Sequence, residues 1–129
     1  MKGLFILGNQ PLIYDEQTTG KIKELVDIYA PPLTAAEVLE HPEALKECEI
    51  IFSGWGAPRM DEEFLANAPN LKIVFYGAGS VRCFVTDAFW QRGIRCVSAW
   101  AANAVPVSEY TLGAILLCLK GLFVNGTRY

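Results

Sequence analysis

A short glycine-containing segment is the part of this sequence whose residue types and spacing best suit ligand chemistry. Gly77, Ala78, Gly79 and Ser80 directly follow residues 71–76, a run rich in β-branched and aromatic side chains that predicts a buried strand. Where side chains are this small, main-chain N–H groups can approach an anion closely. We therefore predict a carboxylate-binding loop at residues 77–80, with a tight turn that merely ends a strand as the alternative.

The same segment does not match a dinucleotide-binding loop. A GxGxxG fingerprint that begins at Gly77 requires a third glycine at position 82, where the chain has Arg82. We therefore expect no cofactor to be bound by these residues.

The cysteines and the histidine do not form a metal-binding pattern. Cys48, Cys83, Cys96 and Cys118 contain no CxxC pair, and His41 lies at no zinc-ligand spacing from them. Neither a metal site nor a disulfide framework is predicted. Because the most apolar stretches, 3–7 and 112–119, are shorter than a signal-peptide core or a bilayer span, we expect a soluble, cytoplasmic protein with no membrane partner.

The charges are distributed unevenly between the two halves of the chain. Residues 1–65 carry twelve acidic and five basic side chains, whereas residues 66–129 carry two acidic and six basic ones. Six scattered basic residues do not make the dense stripe that nucleic-acid binding requires, so no nucleic-acid partner is expected. A small anion suits the second half better, unless these charges are only the solvated faces of helices.

Short apolar runs alternate with stretches of helical periodicity along the 129 residues, of which 52% are hydrophobic. This alternation predicts an α/β fold, a flavodoxin-like doubly wound parallel sheet of about five strands with helices on both faces. The position of the second strand is open, with residues 29–30 and 32–33 as candidates. The predicted strands are otherwise 3–7, 49–53, 71–76 and 94–98, and the predicted helices are 18–29, 34–41, 61–68, 86–91 and a long C-terminal crossing helix that begins near Asn103.

Two ligand-binding classes with comparable sheets lack their signatures. A response-regulator receiver requires an acidic pair after the first strand, where Gly8 and Asn9 stand. A flavodoxin requires a hydroxyl-rich phosphate loop at the same place, and Thr18 and Thr19 come too late. Both classes are therefore disfavoured.

The last predicted helix is apolar on all sides. It tolerates Pro106 in its first turn, where a missing N–H has no partner to lose. A helix that is hydrophobic all round requires neighbours on every side, so we expect this one to pack against another domain or chain. Its apolar residues are Leu112, Ala114, Ile115, Leu116, Leu117, Cys118 and Leu119.

Three sequence blocks in the second half of the chain resemble the substrate-binding domain of the D-isomer-specific 2-hydroxyacid dehydrogenases. They are APNLKIVFYGAGS, QRGIRCVS and NAVPVSEYTLGAILLCLKGL, which occur in the family's order and at matching separations between residues 68 and 122. The resemblance covers residues 45–122 well and residues 1–44 only through the alternating pattern. It departs from the family at Val81, where the family usually has an aspartate.

The resemblance implies a role for four residues, and the loop after the third predicted strand adds a fifth candidate, Trp55. The N–H groups of Ala78, Gly79 and Ser80 would bind the carboxylate of a 2-oxoacid, and Asn103 would lie near the substrate. The same asparagine also suits a helix N-cap. Trp55 would wall the substrate pocket, or else serve as a packing anchor.

The resemblance also implies that this chain is one part of a larger enzyme. Residues 1–122 would be the substrate-binding domain, and residues 123–129 would begin the connection to an absent nucleotide-binding domain. That domain would bind NAD or NADP and carry the catalytic arginine, glutamate and histidine, so residues 1–129 alone would be inactive, with no catalytic, cofactor-binding or metal-binding residue. The expected partners are a 2-oxoacid or 2-hydroxyacid anion, the nucleotide-binding domain and a second copy in a homodimer.

A different class of function remains open at this point. The chain would then be a stand-alone flavodoxin-like domain for binding or protein interaction, with residues 112–119 packing against a partner chain.

Overall fold

Five parallel strands form one sheet in the order β2-β1-β3-β4-β5. The computed structural model describes residues 1–8 and 10–121. This strand order is the flavodoxin-like one, so the predicted α/β fold with a parallel five-stranded sheet is confirmed. The strands are β1 Lys2–Ile6, β2 Asp27–Ile28, β3 Ile50–Ser53, β4 Ile73–Tyr76 and β5 Arg95–Ser98.

Six α-helices and one 3-10 helix connect or follow these strands in the described residues. The helices are α1 Gln10–Ile13, α2 Glu16–Leu25, α3 Ala35–Glu40, the 3-10 helix Pro42–Leu45, α4 Glu62–Asn67, α5 Asp87–Gln91 and α6 Trp100–Leu119. The chain divides into two compact units, Met1–Ala99 and Trp100–Tyr129. The predicted domain boundary between residues 122 and 123 lies outside the described residues.

The two faces of the sheet bury separate hydrophobic clusters, because successive side chains of a strand point to opposite faces. On one face, Ile51 of β3 and Val74 of β4 are buried together with apolar residues of α3, α4 and α5. On the other, Phe5 and Phe52 are buried, and Ile22 of α2 packs against them. Helices therefore cover both faces, as the alternating pattern predicted.

Side-chain caps mark the starts of four helices, the first of which is α2, where Asp15 accepts the Thr18 N–H. Thr34 and Glu37 form a capping box, in which the Thr34 N–H donates to Glu37 Oε2 at 2.7 Å and the Glu37 N–H to Thr34 Oγ1 at 3.2 Å. The Asp61 side chain caps α4 by accepting the Phe64 N–H, and the Thr86 side chain caps α5 by accepting the Phe89 N–H. The starts of α3, α4 and α5 agree with the sequence prediction, whereas α2 begins at Glu16 instead of the predicted residue 18.

The region of the second strand differs from both sequence candidates. The helix predicted at 18–29 ends at Leu25, since the Val26 backbone is extended and its N–H closes the last turn on Ile22 O. The chain then enters β2 at Asp27 and Ile28, which pair with Lys2 and Gly3. Neither 29–30 nor 32–33 is a strand, although Leu33 forms an isolated parallel bridge with Ile6.

The long final helix starts earlier than predicted. It begins at Trp100, so Pro106 lies inside the helix rather than in its first turn. Because proline lacks an N–H, the carbonyl of Ala102 loses its usual partner four residues on. The prediction that Asn103 caps this helix is wrong, since Asn103 is its fourth residue.

By length and composition, the helix α6 could span a bilayer. No other helix in the described residues meets the same criteria. The 20 residues of α6 exceed the stretch 112–119 from which the sequence expectation was drawn. None of them is buried. A single helix of this kind is weak support for a membrane span, because core helices of soluble proteins share these properties.

Candidate anion-binding site

The predicted loop lies at the carboxyl end of β4 and is held at both ends by main-chain hydrogen bonds. The Gly77 N–H donates to Ser53 O at 2.8 Å, which ties the start of the loop to the end of β3. The Ala99 N–H lies 3.0 Å from Tyr76 O and 3.1 Å from Ala78 O. Since ligands of open α/β sheets bind at the carboxyl ends of the strands, the loop is in the expected place.

Three consecutive N–H groups in this loop have no acceptor among the residues that the structure describes. Within residues 1–8 and 10–121, the main-chain N–H groups of Ala78, Gly79 and Ser80 donate no hydrogen bond. Most buried main-chain donors in native proteins are paired with protein groups or with water. Successive main-chain donors without a protein acceptor can bind a carboxylate or phosphate.

The charges beside the loop favour an anion. Arg82 is the only charged residue between positions 77 and 84, and it is exposed. Burial raises the pKa of Tyr76 to about 12, with the neighbouring Cys83 a smaller cause, so its hydroxyl adds no negative charge at neutral pH. The loop therefore has cationic character and no competing carboxylate of its own.

Trp55 lies in the neighbouring loop, which follows β3. Its carbonyl accepts the Gly8 N–H at 2.9 Å, so the loops after β1 and β3 are joined at the point where the strand order reverses. The Trp55 side chain is 58% exposed. An indole this exposed is available to a ligand and is not a core packing anchor.

Asn103 belongs to the other compact unit. It lies within α6, whereas Ala78, Gly79, Ser80 and Trp55 belong to Met1–Ala99. The structure thus places four of the five predicted residues on adjacent loops of one sheet.

Two residues that the sequence analysis missed lie over the carboxyl ends of β3 and β4. The Ile13 side chain fills the space beside Gly54 and Gly77, where an added Cβ would meet it at 2.1 and 2.3 Å. The Tyr14 hydroxyl lies 2.9 Å from Ser53 O and 3.1 Å from Phe75 O. Their position a few residues after the first strand, at the carboxyl edge of the sheet, was the available signal.

A separate cavity of about 600 Å³ lies beside α2 and the segment that follows β2. It contains none of the predicted site residues. Among its walls are Phe5, Tyr14, Ile28, Tyr29 and Pro31. The candidate anion loop is therefore supported by its main-chain donors and not by the volume of this cavity.

The thiols of the described residues show no metal-binding arrangement. No group of three or more His, Cys, Asp or Glu side chains that could hold a metal ion occurs in the described part of the chain. Cys48 is buried and its Sγ donates to Ile50 O at 3.2 Å. Burial raises its pKa to about 11, so it is a packed, protonated thiol.

Comparison with models of known protein families gives no match, and comparison with curated proteins gives none either.

Proposed function

We propose that this chain supplies the substrate-binding part of an NAD(P)-dependent D-2-hydroxyacid dehydrogenase, with a 2-oxoacid or 2-hydroxyacid as substrate. The observation that carries the proposal is the set of three consecutive N–H groups at Ala78, Gly79 and Ser80, which have no acceptor in the described part of the chain. They occur in the block of sequence that resembles the family's carboxylate-binding loop. The parallel sheet and the position of the loop at a strand end also suit this function.

In the proposed role, the chain binds and orients the substrate. The three N–H groups hold the carboxylate, and Arg82 adds positive charge beside it. Trp55 covers the substrate from the loop after β3. Fixing the carboxylate in this way leaves the 2-oxo group at a defined distance from the loop, where groups of another domain can act on it.

The segment that begins at Gly77 does not match the fingerprint of a nicotinamide-dinucleotide site. Arg82 occupies the position of the third glycine that a pyrophosphate loop at Gly77 requires. We therefore assign NAD or NADP, and the acid–base chemistry, to the nucleotide-binding domain of the complete enzyme. A homodimer and a cytoplasmic location complete the proposal.

A titration with pyruvate tests the binding role directly. We expect the amide resonances of Ala78, Gly79 and Ser80 to shift in ¹⁵N-labelled protein, because the carboxylate accepts their protons. A shift at Asn103 would support its proposed place near the substrate. Methyl pyruvate is the control, since it has the same 2-oxo group but no carboxylate and should leave the loop unshifted. Equal shifts with acid and ester, or shifts confined to other loops, would contradict the assignment.

A second candidate function is protein interaction through α6. Its 20 residues contain one charged side chain, Glu109, and none of them is buried. If residues 1–129 form a self-sufficient module whose α6 binds only a different partner chain, light scattering will give a monomer at all concentrations. Under the dehydrogenase proposal, the same helix packs against another domain or a second copy of the chain. We then expect residues 1–129 to self-associate as their concentration rises.

A further inference from the structure

Tyr14 connects the ends of two neighbouring strands. It follows α1, and its hydroxyl oxygen lies 2.9 Å from Ser53 O of β3 and 3.1 Å from Phe75 O of β4. A phenol has one proton to donate, so this proton is shared between the two carbonyl oxygens. Both carbonyls belong to the last two residues of their strands, immediately before the loops that carry Trp55 and Ala78.

The same acceptor also holds the start of the candidate anion loop. Ser53 O accepts the Gly77 N–H at 2.8 Å in addition to the Tyr14 hydroxyl. A Cβ on Gly77 would lie 3.3 Å from the Tyr14 hydroxyl oxygen, so the two groups are in close approach. The position of Gly77 therefore depends on where the hydroxyl of Tyr14 lies.

The ring of Tyr14 is held by aromatic neighbours. Its centroid is 5.4 Å from that of Phe5 at an interplanar angle of 68°, and 6.2 Å from that of Phe52 at 84°. Both are edge-to-face contacts, which fix the direction in which the hydroxyl points. Burial raises the pKa of Tyr14 to about 12, so the hydroxyl remains a donor throughout the neutral range.

We propose that Tyr14 is a positioning residue for the anion loop, setting through Ser53 O and Gly77 the direction of the N–H groups of Ala78, Gly79 and Ser80. The inference rests on the proposed function for its ligand, a carboxylate. The positioning geometry does not depend on the proposed function, because it can be measured without a ligand.

The chain offers a matched control in Tyr29. Its hydroxyl also donates to a main-chain carbonyl, that of Ala44, and its ring is also half-buried. The side chain packs against the cluster on the opposite face of the sheet from Tyr14. Tyr14→Phe and Tyr29→Phe thus remove the same kind of hydrogen bond, one beside the loop and one on the other side of the sheet.

The experiment compares the two variants with and without pyruvate. In the free protein, we expect Tyr14→Phe to speed amide hydrogen exchange at Gly77 by about tenfold and Tyr29→Phe to leave it unchanged. With pyruvate, Tyr14→Phe should raise the Kd by about three- to tenfold, while Tyr29→Phe keeps the wild-type value. A general loss of stability would affect both variants alike.

Two results distinguish failure of the positioning role from failure of the carboxylate-binding function. If Gly77 exchange is the same in Tyr14→Phe as in the wild type, the positioning role is wrong whether or not pyruvate binds. If the wild type binds no pyruvate while Gly77 exchange responds only to Tyr14→Phe, the carboxylate function is wrong and the positioning of the loop stands. Equal changes in the two variants would overturn the proposal by assigning Tyr14 a purely structural role.

Discussion

Replacing Phe84 with alanine is expected to lower the free energy of unfolding by about 3–5 kcal/mol, the usual cost of deleting a buried aromatic ring. Phe84 is fully buried, and its ring centroid is 4.7 Å from that of Tyr76, the last residue of β4. Its carbonyl accepts the Met60 N–H at 2.8 Å. The side chain therefore anchors the far end of the segment that begins at Gly77.

Urea denaturation followed by circular dichroism measures this loss. Leu25→Ala is the control, because the Leu25 side chain is 83% exposed and an exposed substitution of this kind changes stability by about 0.5 kcal/mol or less. If Phe84→Ala costs no more than Leu25→Ala, the ring does not contribute to the core as the structure indicates. Such a result would also remove the support that we assign to the anion loop.

Replacing Gly77 with alanine is expected to destabilise the protein by about 1–3 kcal/mol through overpacking. The new Cβ would lie 2.3 Å from Cγ2 of Ile13. That methyl group is attached to the Ile13 Cβ, so it moves away only if the side chain leaves its rotamer or the backbone shifts. Because the loop begins at Gly77, we expect the amides of Ala78, Gly79 and Ser80 to shift as well.

The control for this substitution changes stability in the opposite direction. Gly20 lies inside α2, and an added Cβ would meet no atom within 4 Å. Gly20→Ala should therefore stabilise the protein by about 0.5–1 kcal/mol, the difference in helix propensity between the two residues. In the Gly77→Ala protein, Ile13→Ala should restore part of the lost stability. Equal shifts of the unfolding midpoint for Gly77→Ala and Gly20→Ala would contradict the steric explanation.

The parts of the fold that depend on local sequence were predictable. Periodicity located four of the five strands, and the helices predicted at 34–41, 61–68 and 86–91 match α3, α4 and α5. Each of these signals comes from residues within one or two turns of chain, so no distant contact is needed to read it. The glycine loop after β4 was predictable for the same reason.

The remaining elements could be identified only from the folded structure. The strand β2 has only two residues, too few for any pattern, and it exists because Lys2 and Gly3 pair with Asp27 and Ile28. The start of α6 was mispredicted because Pro106 is tolerated inside the helix, which local rules disfavour. For β2, the pairing with β1 decides the structure, and no local pattern records it.

For the candidate site, the sequence by itself determined that small residues stand after a buried strand, with Arg82 close behind. Only the tertiary structure decided that the N–H groups of Ala78, Gly79 and Ser80 have no acceptor in the described chain, and that Ile13 and Tyr14 lie over the strand ends. The reason is that hydrogen-bond satisfaction and steric fit depend on atoms distant in sequence. Tyr14 and Phe75 are 61 residues apart, and no local pattern records their contact.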